Sequence, residues 1–194
     1  GSMMLAEHCI NLGIQNFIYA SSGSVYGIQE ADDVTENLPL KPISGYNKTK
    51  MIAERVLLSY PELQAKIVRP ATVCGLSPRM RLDVAVNLLT FQALEKGEMT
   101  VFGGDQTRPN VHIQDITDLY IRMLEHSDDY EGIYNVGFEN LSILEIAENI
   151  ARETNSKITI KESNDPRSYS VNSDRILKQF EQTKKLMKQA QKPG

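Results

Sequence analysis

Phe17-Ile18-Tyr19-Ala20 is a four-residue apolar run that stops at Ser21-Ser22-Gly23, and Leu5, Cys9 and Leu12 precede it at helical spacing as far as Gly13. A short run bounded by small residues reads as a buried strand, and the spacing before it as a helix. The same alternation repeats outward. A loop rich in Gly, Asp and Pro covers residues 23–42, Ser44 stands where it would cap a helix running to Tyr60, and Pro61 stops that helix. Lys66-Ile67-Val68-Arg69 is the next strand, ending at Pro70. Further on, the pattern predicts a helix over 82–96, strands over 100–102 and 110–113, a helix over 115–125 and a strand over 133–136. Ser142 opens another helix through Ala151, and a last strand covers 157–161. Strands alternating with helices predict an α/β fold with a parallel sheet.

Composition narrows the function classes. The chain has 194 residues, 41% hydrophobic and 24% charged, with 12 Gly and 8 Pro. That usage excludes collagen-like, low-complexity and disordered classes, and the length is enough to bury a core. Twenty-one Lys and Arg stand against 25 Asp and Glu, a net charge of −4. No overall field draws in a polyanion, so nucleic-acid binding is not expected. Cys9 and Cys74 have no further Cys or His at ligand spacing; they predict reduced, intracellular thiols and no metal site. No apolar run reaches the roughly 18 residues of a membrane helix, and the first dozen residues lack the layout of a secretion signal. No membrane association and a cytoplasmic setting are therefore expected. Gly1-Ser2 before Met3 reads as a tag-cleavage scar, with the natural start at Met3 or Met4. Residues 181–194 form a basic tail, with four lysines and no acid between Lys184 and Lys192, expected to be a solvated end.

An alternating α/β chain that holds a dinucleotide carries a glycine-rich turn after its first strand, where the pyrophosphate meets a helix N-terminus. No segment matches: Gly103-Gly104 is followed by Asp105-Gln106-Thr107-Arg108-Pro109, without the spacing of that fingerprint or a helix behind it. The strongest chemical constellation is instead Tyr46-Asn47-Lys48-Thr49-Lys50, with Ser21-Ser22 at the end of the preceding strand. Tyr46 and Lys50 are four apart, so on a helix they emerge from one face. A tyrosine hydroxyl is a poor base at neutral pH, but a nearby ammonium favours the phenolate. Spacing alone leaves an exposed Tyr and Lys on a helix as the plain alternative.

The neighbouring residues decide between these readings. Phe17-Ile18-Tyr19-Ala20-Ser21-Ser22-Gly23-Ser24-Val25-Tyr26-Gly27, then Tyr46 to Lys50, then Arg69-Pro70-Ala71-Thr72-Val73-Cys74-Gly75, closely resemble the extended short-chain dehydrogenases/reductases that act on nucleotide sugars. Val101 to Asp115 is similar to that family's stretch leading to its Arg-x-x-x-His-x-x-Asp signature, and Ile133-Tyr134-Asn135-Val136-Gly137 followed by Leu141-Ser142 is also typical. The resemblance runs from Met4 to Asn172. It implies part of a Rossmann-like, doubly wound parallel sheet over residues 3–78, carrying Ser, Tyr and Lys, and a smaller C-terminal α/β substrate lobe over 79–180 whose strands can return to the main sheet. The activity implied is that of an NAD- or NADP-dependent nucleotide-sugar epimerase, with a homodimer built on the Tyr46 helix and the helix before the Phe17 strand.

Site roles carry over residue by residue as implications of the resemblance. Tyr46 transfers the proton, Lys50 holds the nicotinamide ribose and supports the Tyr46 phenolate, and Ser22 takes the substrate hydroxyl. The cofactor side comprises Ala20, Ser21, Tyr46, Lys50, Pro70 and Thr72. The substrate side comprises Ser22, Thr72, Asn87, Leu88, Phe102, Arg108, Arg167 and Tyr169. Asn87 falls where the family binds diphosphate through side chain or backbone, Phe102 where it walls the base pocket, and Arg108 where a guanidinium meets the pyrophosphate. The plain alternatives are a surface Arg108, a core Phe102 and an Asn87 that caps its helix. His112 is expected to support the fold, Asp115 to cap the following helix and Cys74 to fill apolar space. Three departures bear on chemistry. Thr72 replaces an Asn frequent in the epimerases, and one hydroxyl cannot make both bonds of an amide. Gly23 and Ser24 stand where the 4,6-dehydratases place Asp-Glu, so dehydration is disfavoured, as is decarboxylation. The chain begins where family members are already past their glycine-rich half, so independent dinucleotide binding is expected to be weak or absent. Epimerisation, reduction of a 4-keto sugar nucleotide, and a non-catalytic remnant that binds a nucleotide sugar or a partner protein are the readings left open.

Overall fold

The computed structural model describes residues 1–29, 33–163 and 168–181; Arg167 and the basic stretch 184–192 lie outside the described residues. β2 (Lys66–Pro70) is the centre of the first sheet, paired in parallel with β1 (Ile18–Ala20) on one side and β6 (Gly132–Val136) on the other. Its residues alternate between two cores. Ile67 packs with Ala6, Cys9, Leu57 and Leu63, from α1 (Ser2–Asn11), α2 (Gly45–Leu58) and the turn after it. Val68 joins Val111, Ile116, Leu119, Met123 and Tyr134 on the side of α4 (Ile113–Glu125). The strand is covered on both faces, so that even Lys66 and Arg69 are buried; the pair Ile67-Val68 and the stop at Pro70 made 66–69 legible. Ser2, set aside in the sequence reading, is the first residue of α1.

The second half adds two smaller sheets. β3 (Thr72–Cys74) pairs in parallel with β5 (Thr107–His112), and β5 pairs antiparallel with β7 (Glu139–Ser142). β4 (Glu98–Phe102) pairs in parallel with β8 (Lys157–Lys161), under α3 (Ala85–Lys96) and α5 (Ile143–Thr154). Leu89 and Ala93 of α3, Met99 and Val101 of β4, and Ile146 and Ala147 of α5 form that lobe's core. Residues 174–181 are helical. The architecture is mixed α/β, as expected, with one correction: the strands form three sheets among the described residues, and one pair is antiparallel. β3 and β7 were not predicted at all, because Thr72-Val73-Cys74 and Glu139-Asn140-Leu141-Ser142 mix polar and apolar residues and carry no apolar run like that of β1.

Helix starts are explained by their caps. Ser44 accepts from the Asn47 amide at 3.1 Å and opens α2 as expected. Ser142 opens α5 in a reciprocal box with Glu145, each bonding the other's backbone amide. α4 corrects the sequence reading, since its cap is His112, whose Nδ1 accepts from the Gln114 amide at 3.2 Å, and Asp115 lies inside the first turn. The ring also packs on Gly75, at φ +116°, where an added Cβ would come within 2.7 Å of His112 Nε2. Gly27 is required more strictly: φ is +67°, and a Cβ would lie 2.0 Å from the Lys41 carbonyl oxygen.

Candidate active site

The carboxyl ends of parallel strands leave a crevice where the covering helices diverge, and polar residues collect there. β1 ends in Ser21-Ser22, β2 ends in Pro70 and continues through Ala71 into β3, and the capped first turn of α2 brings Tyr46 to the same place. The result is a cleft of about 760 Å³. Ser21, Ser22, Tyr46, Pro70 and Thr72 line it, as do Asn87, Leu88, Phe102, Arg108 and Tyr169. Ala20 and Lys50 stand beside the cleft rather than in its wall. Residues drawn from nearly 150 positions of sequence thus share one cavity.

Tyr46 is 57% exposed. The Lys50 ammonium lies 5.7 Å from the Tyr46 ring centre and 5.0 Å from that of Tyr19. It donates to the Ala20 carbonyl at 2.7 Å, which ties the helix to the end of β1. Burial, with the nearby Glu54 and Tyr46, pushes the Tyr19 hydroxyl above the usual range, and its ring packs against the core formed by α1, α2 and β2.

Ser22 caps the single 3-10 turn Gly23–Tyr26 and accepts from the Ser24 amide at 3.2 Å. The Ser22 and Ser24 hydroxyls are 2.8 Å apart, and Ser24 Oγ donates to Asn47 Oδ1 at 2.8 Å. Below them lies a polar network that the sequence reading missed. Glu54, two turns beyond Tyr46, is fully buried and paired with Arg69 of β2 through Nε at 3.0 Å and Nη2 at 2.6 Å. Ser21 Oγ donates to the same carboxylate. Arg69 Nη1 donates to the Tyr26 hydroxyl at 2.7 Å, and Tyr26 donates to Asn135 Oδ1 of β6 at 2.8 Å. Burial pushes the Tyr26 hydroxyl up against the opposing pull of Arg69, which suits a neutral donor. The network pegs α2 to β2, β6 and the Ser21-Ser22 turn.

At the far end of the cleft, Phe102 is 56% exposed at the tip of β4 and is therefore not a core residue. Arg108 Nη1 bonds the Thr107 carbonyl at 3.1 Å. Ser168 Oγ accepts from the Thr107 amide, and Tyr169 donates its amide to the Thr107 carbonyl, which lays Tyr169 along β5. Asn87 lies in the first turn of α3 but does not cap it. Its Oδ1 accepts from the Gly75 amide and its Nδ2 donates to the Arg81 carbonyl, each at 2.9 Å, so the side chain staples the intervening loop. Arg79 and Arg81 line the cleft unpredicted, and Arg81 pairs with Asp83 at 2.6 Å in the open. Two arginines in a polar loop were the only signal, and such a loop reads equally as plain surface. Cys74 lies in the wall with its thiol pushed up by burial and by Glu139, the setting of a space-filling side chain.

Among the described residues, no three His, Cys, Asp or Glu side chains converge as metal ligands would, and no helix is long and apolar enough to cross a membrane. Residues 1–137 match the NAD dependent epimerase/dehydratase family. An uncharacterized UDP-glucose epimerase of Bacillus subtilis, YtcB, is 33% identical over 161 residues, covering 80% of this chain and 50% of the relative. A UDP-glucose 4-epimerase of Lactobacillus helveticus is 27% identical over 176 residues, covering 77% of this chain and 53% of the relative. Among solved structures, UDP-glucuronic acid 4-epimerase from Bacillus cereus in complex with UDP-glucuronic acid and NAD is similar at TM-score 0.76 and 29% identity, over 93% of this chain and 60% of that one. The chain thus spans about half the length of the relatives it matches.

Proposed function

The chain belongs to the NAD dependent epimerase/dehydratase family, and from that premise we propose that it forms the catalytic and substrate-binding part of a nucleotide-sugar 4-epimerase. The observation that carries the proposal is the single cleft joining Ser22 and Tyr46 at one end to Phe102 and Arg108 at the other. Residues 3–78 supply the reacting end and residues 79–180 mainly the nucleotide end. Tyr46 takes the proton of a sugar hydroxyl that Ser22 orients, Arg108 meets the diphosphate, and Phe102 and Tyr169 flank the base and its neighbourhood. Gly23 and Ser24 offer no ionisable proton to a sugar carbon, which favours epimerisation over dehydration.

The residues present suit the nicotinamide end of NAD or NADP. Tyr46 opens onto the cleft, and the Lys50 ammonium is fixed on the Ala20 carbonyl one turn away. Ala20, Ser21, Tyr46, Lys50, Pro70 and Thr72 would hold it there, and the chemistry it supplies is acceptance and return of a hydride.

Calorimetric titration of the chain with UDP-, dTDP-, GDP- and CDP-sugars tests the reading, and binding of at least one is expected. Arg108→Ala should weaken it about 10- to 100-fold, the loss of a charge-assisted bond of roughly 1.5–3 kcal/mol. Absence of affinity for every one of these ligands would overturn the proposal.

The same reading includes a cytoplasmic homodimer. What supports the dimer is the side-by-side packing of α1 and α2, which leaves Met3, Met4 and Leu5 of α1, Leu12 just after it, and Ile52 and Leu58 of α2 exposed. Sedimentation should show a species of twice 21.8 kDa at high micromolar concentration. A lone 21.8 kDa species would remove the dimer.

A further inference from the structure

We infer that Gln106 is a positioning residue for the nucleotide: it braces the turn that follows Phe102, so that the exposed ring stands ready as a stacking platform for the base. Phe102 is the last residue of β4 and is 56% exposed. A ring left in the open at a strand end is not held by burial, so its place is set by the backbone beneath it. β4 pairs Phe102 with Lys161 of β8, and the Gly103 amide donates to the Lys161 carbonyl at 2.8 Å. Beyond that bond the ladder stops, and the chain reverses through Gly103-Gly104 toward β5. The Gln106 carboxamide fills the inside of the reversal: Nε2 donates to the Phe102 carbonyl at 2.7 Å, and Oε1 accepts from the Gly104 amide at 2.7 Å. One side chain thus satisfies two backbone groups that the end of β4 would otherwise leave to water.

The turn is shaped around that amide. Gly103 has φ +76°, and a Cβ there would come within 2.8 Å of Gln106 Oε1 and 3.1 Å of Nε2, so the glycine leaves the room that the carboxamide occupies. From outside, the Leu144 amide donates to the Gly104 carbonyl at 3.0 Å and the Ile143 amide to the Gln106 carbonyl at 3.2 Å, which ties the reversal to the start of α5. Gln106 also lines the cleft, yet both ends of its carboxamide bond the turn, so its action on a ligand passes through Phe102. A base that stacks on a ring already in place spends little on ordering it, whereas a ring on a frayed strand end must be ordered at each binding event.

The inference rests on the proposed nucleotide-sugar site, and UDP is the probe because it carries the base and the diphosphate without the sugar. Calorimetry would compare the wild-type chain with Gln106→Met, Phe102→Ala, Arg108→Ala and the two double variants that add Gln106→Met to the others. Phe102→Ala should weaken UDP binding about tenfold, the usual worth of one stacked base. Gln106→Met keeps the length of the side chain and removes its hydrogen bonds, and it should weaken UDP binding about three- to fivefold. On the Phe102→Ala background the same replacement should change UDP affinity by less than about 1.5-fold, because the platform it braces is already gone. On the Arg108→Ala background it should cost the full factor of about three to five. A variant that merely loosens the lobe would lose affinity on both backgrounds alike. Persistence of the loss without Phe102, its disappearance without Arg108, or unchanged affinity in Gln106→Met overturns the assignment and leaves the nucleotide site standing. Failure of Phe102→Ala to weaken UDP removes the platform, and failure of wild type to bind UDP removes the site, each taking the inference with it.

Discussion

Arg69→Met should cost the fold about 3–5 kcal/mol, seen as a lower urea midpoint at unchanged slope. Arg69 and Glu54 are 2% and 1% exposed, and the guanidinium supplies two close contacts to the carboxylate. Removing it leaves a buried charge whose remaining partner is the Ser21 hydroxyl, and it leaves the Tyr26 hydroxyl without a donor. Replacing both charges, as Glu54→Leu with Arg69→Met, should recover most of the loss, because an intact buried pair adds little over apolar side chains of similar volume. A single replacement costing less than about 1 kcal/mol would mean that water reaches the pair and the charge is not stranded. The larger interest is positional. Glu54 is the peg that holds α2 against β2, so the same residue that is costly to strand also sets where Tyr46 and Lys50 stand.

Tyr46→Phe should lower turnover about 10²- to 10⁴-fold, the usual contribution of a general acid–base group. The assay is UDP-sugar 4-epimerisation by a polypeptide joining this chain to a dinucleotide-binding half. Substrate affinity should stay within a few-fold, since the hydroxyl acts in proton transfer whereas the nucleotide supplies most of the binding. The replacement keeps the ring that faces the Lys50 ammonium at 5.7 Å, and the exposed position carries no packing penalty. Retention of more than about a tenth of wild-type activity would exclude Tyr46 as the proton-transfer group, since no route around it costs so little.

Local chemistry made much of this legible. α2 was readable because Ser44 caps it and Pro61 ends it, and both signals act within a turn of the residues they govern. β2 was readable from its β-branched pair Ile67-Val68 and the stop at Pro70, although the burial of its flanking Lys66 and Arg69 was not. β3 and β7 were not, since Thr72-Val73-Cys74 and Glu139-Asn140-Leu141-Ser142 carry no apolar run like that of β1. His112 and Asp115 both stand near the start of α4, and residue type favoured the aspartate as cap; the strand β5 delivers the histidine ring there instead. Asn87 looked like a cap for the same reason, yet α3 starts two residues earlier and the amide is occupied by the Gly75–Arg81 loop.

The sequence by itself determined the α/β class, the helical placement of Tyr46 and Lys50 on one face, and the candidates that later share the cleft, because each depends on spacing within a few residues or on a motif of ordered residues. Only the tertiary structure decided what Glu54 and Arg69 do. Glu54 reads in sequence as one more charge on a solvated helix face, and nothing local distinguishes it in kind from its neighbour Arg55. Its role follows from Arg69 being 15 residues away and in hydrogen-bond contact, a coincidence created by packing α2 across the β2 strand. The bond from Ser24 to Asn47 Oδ1, across 23 residues, is likewise made by packing α2 against the turn that carries Ser24. Such contacts belong to groups held together in space, and no spacing rule along a chain encodes them.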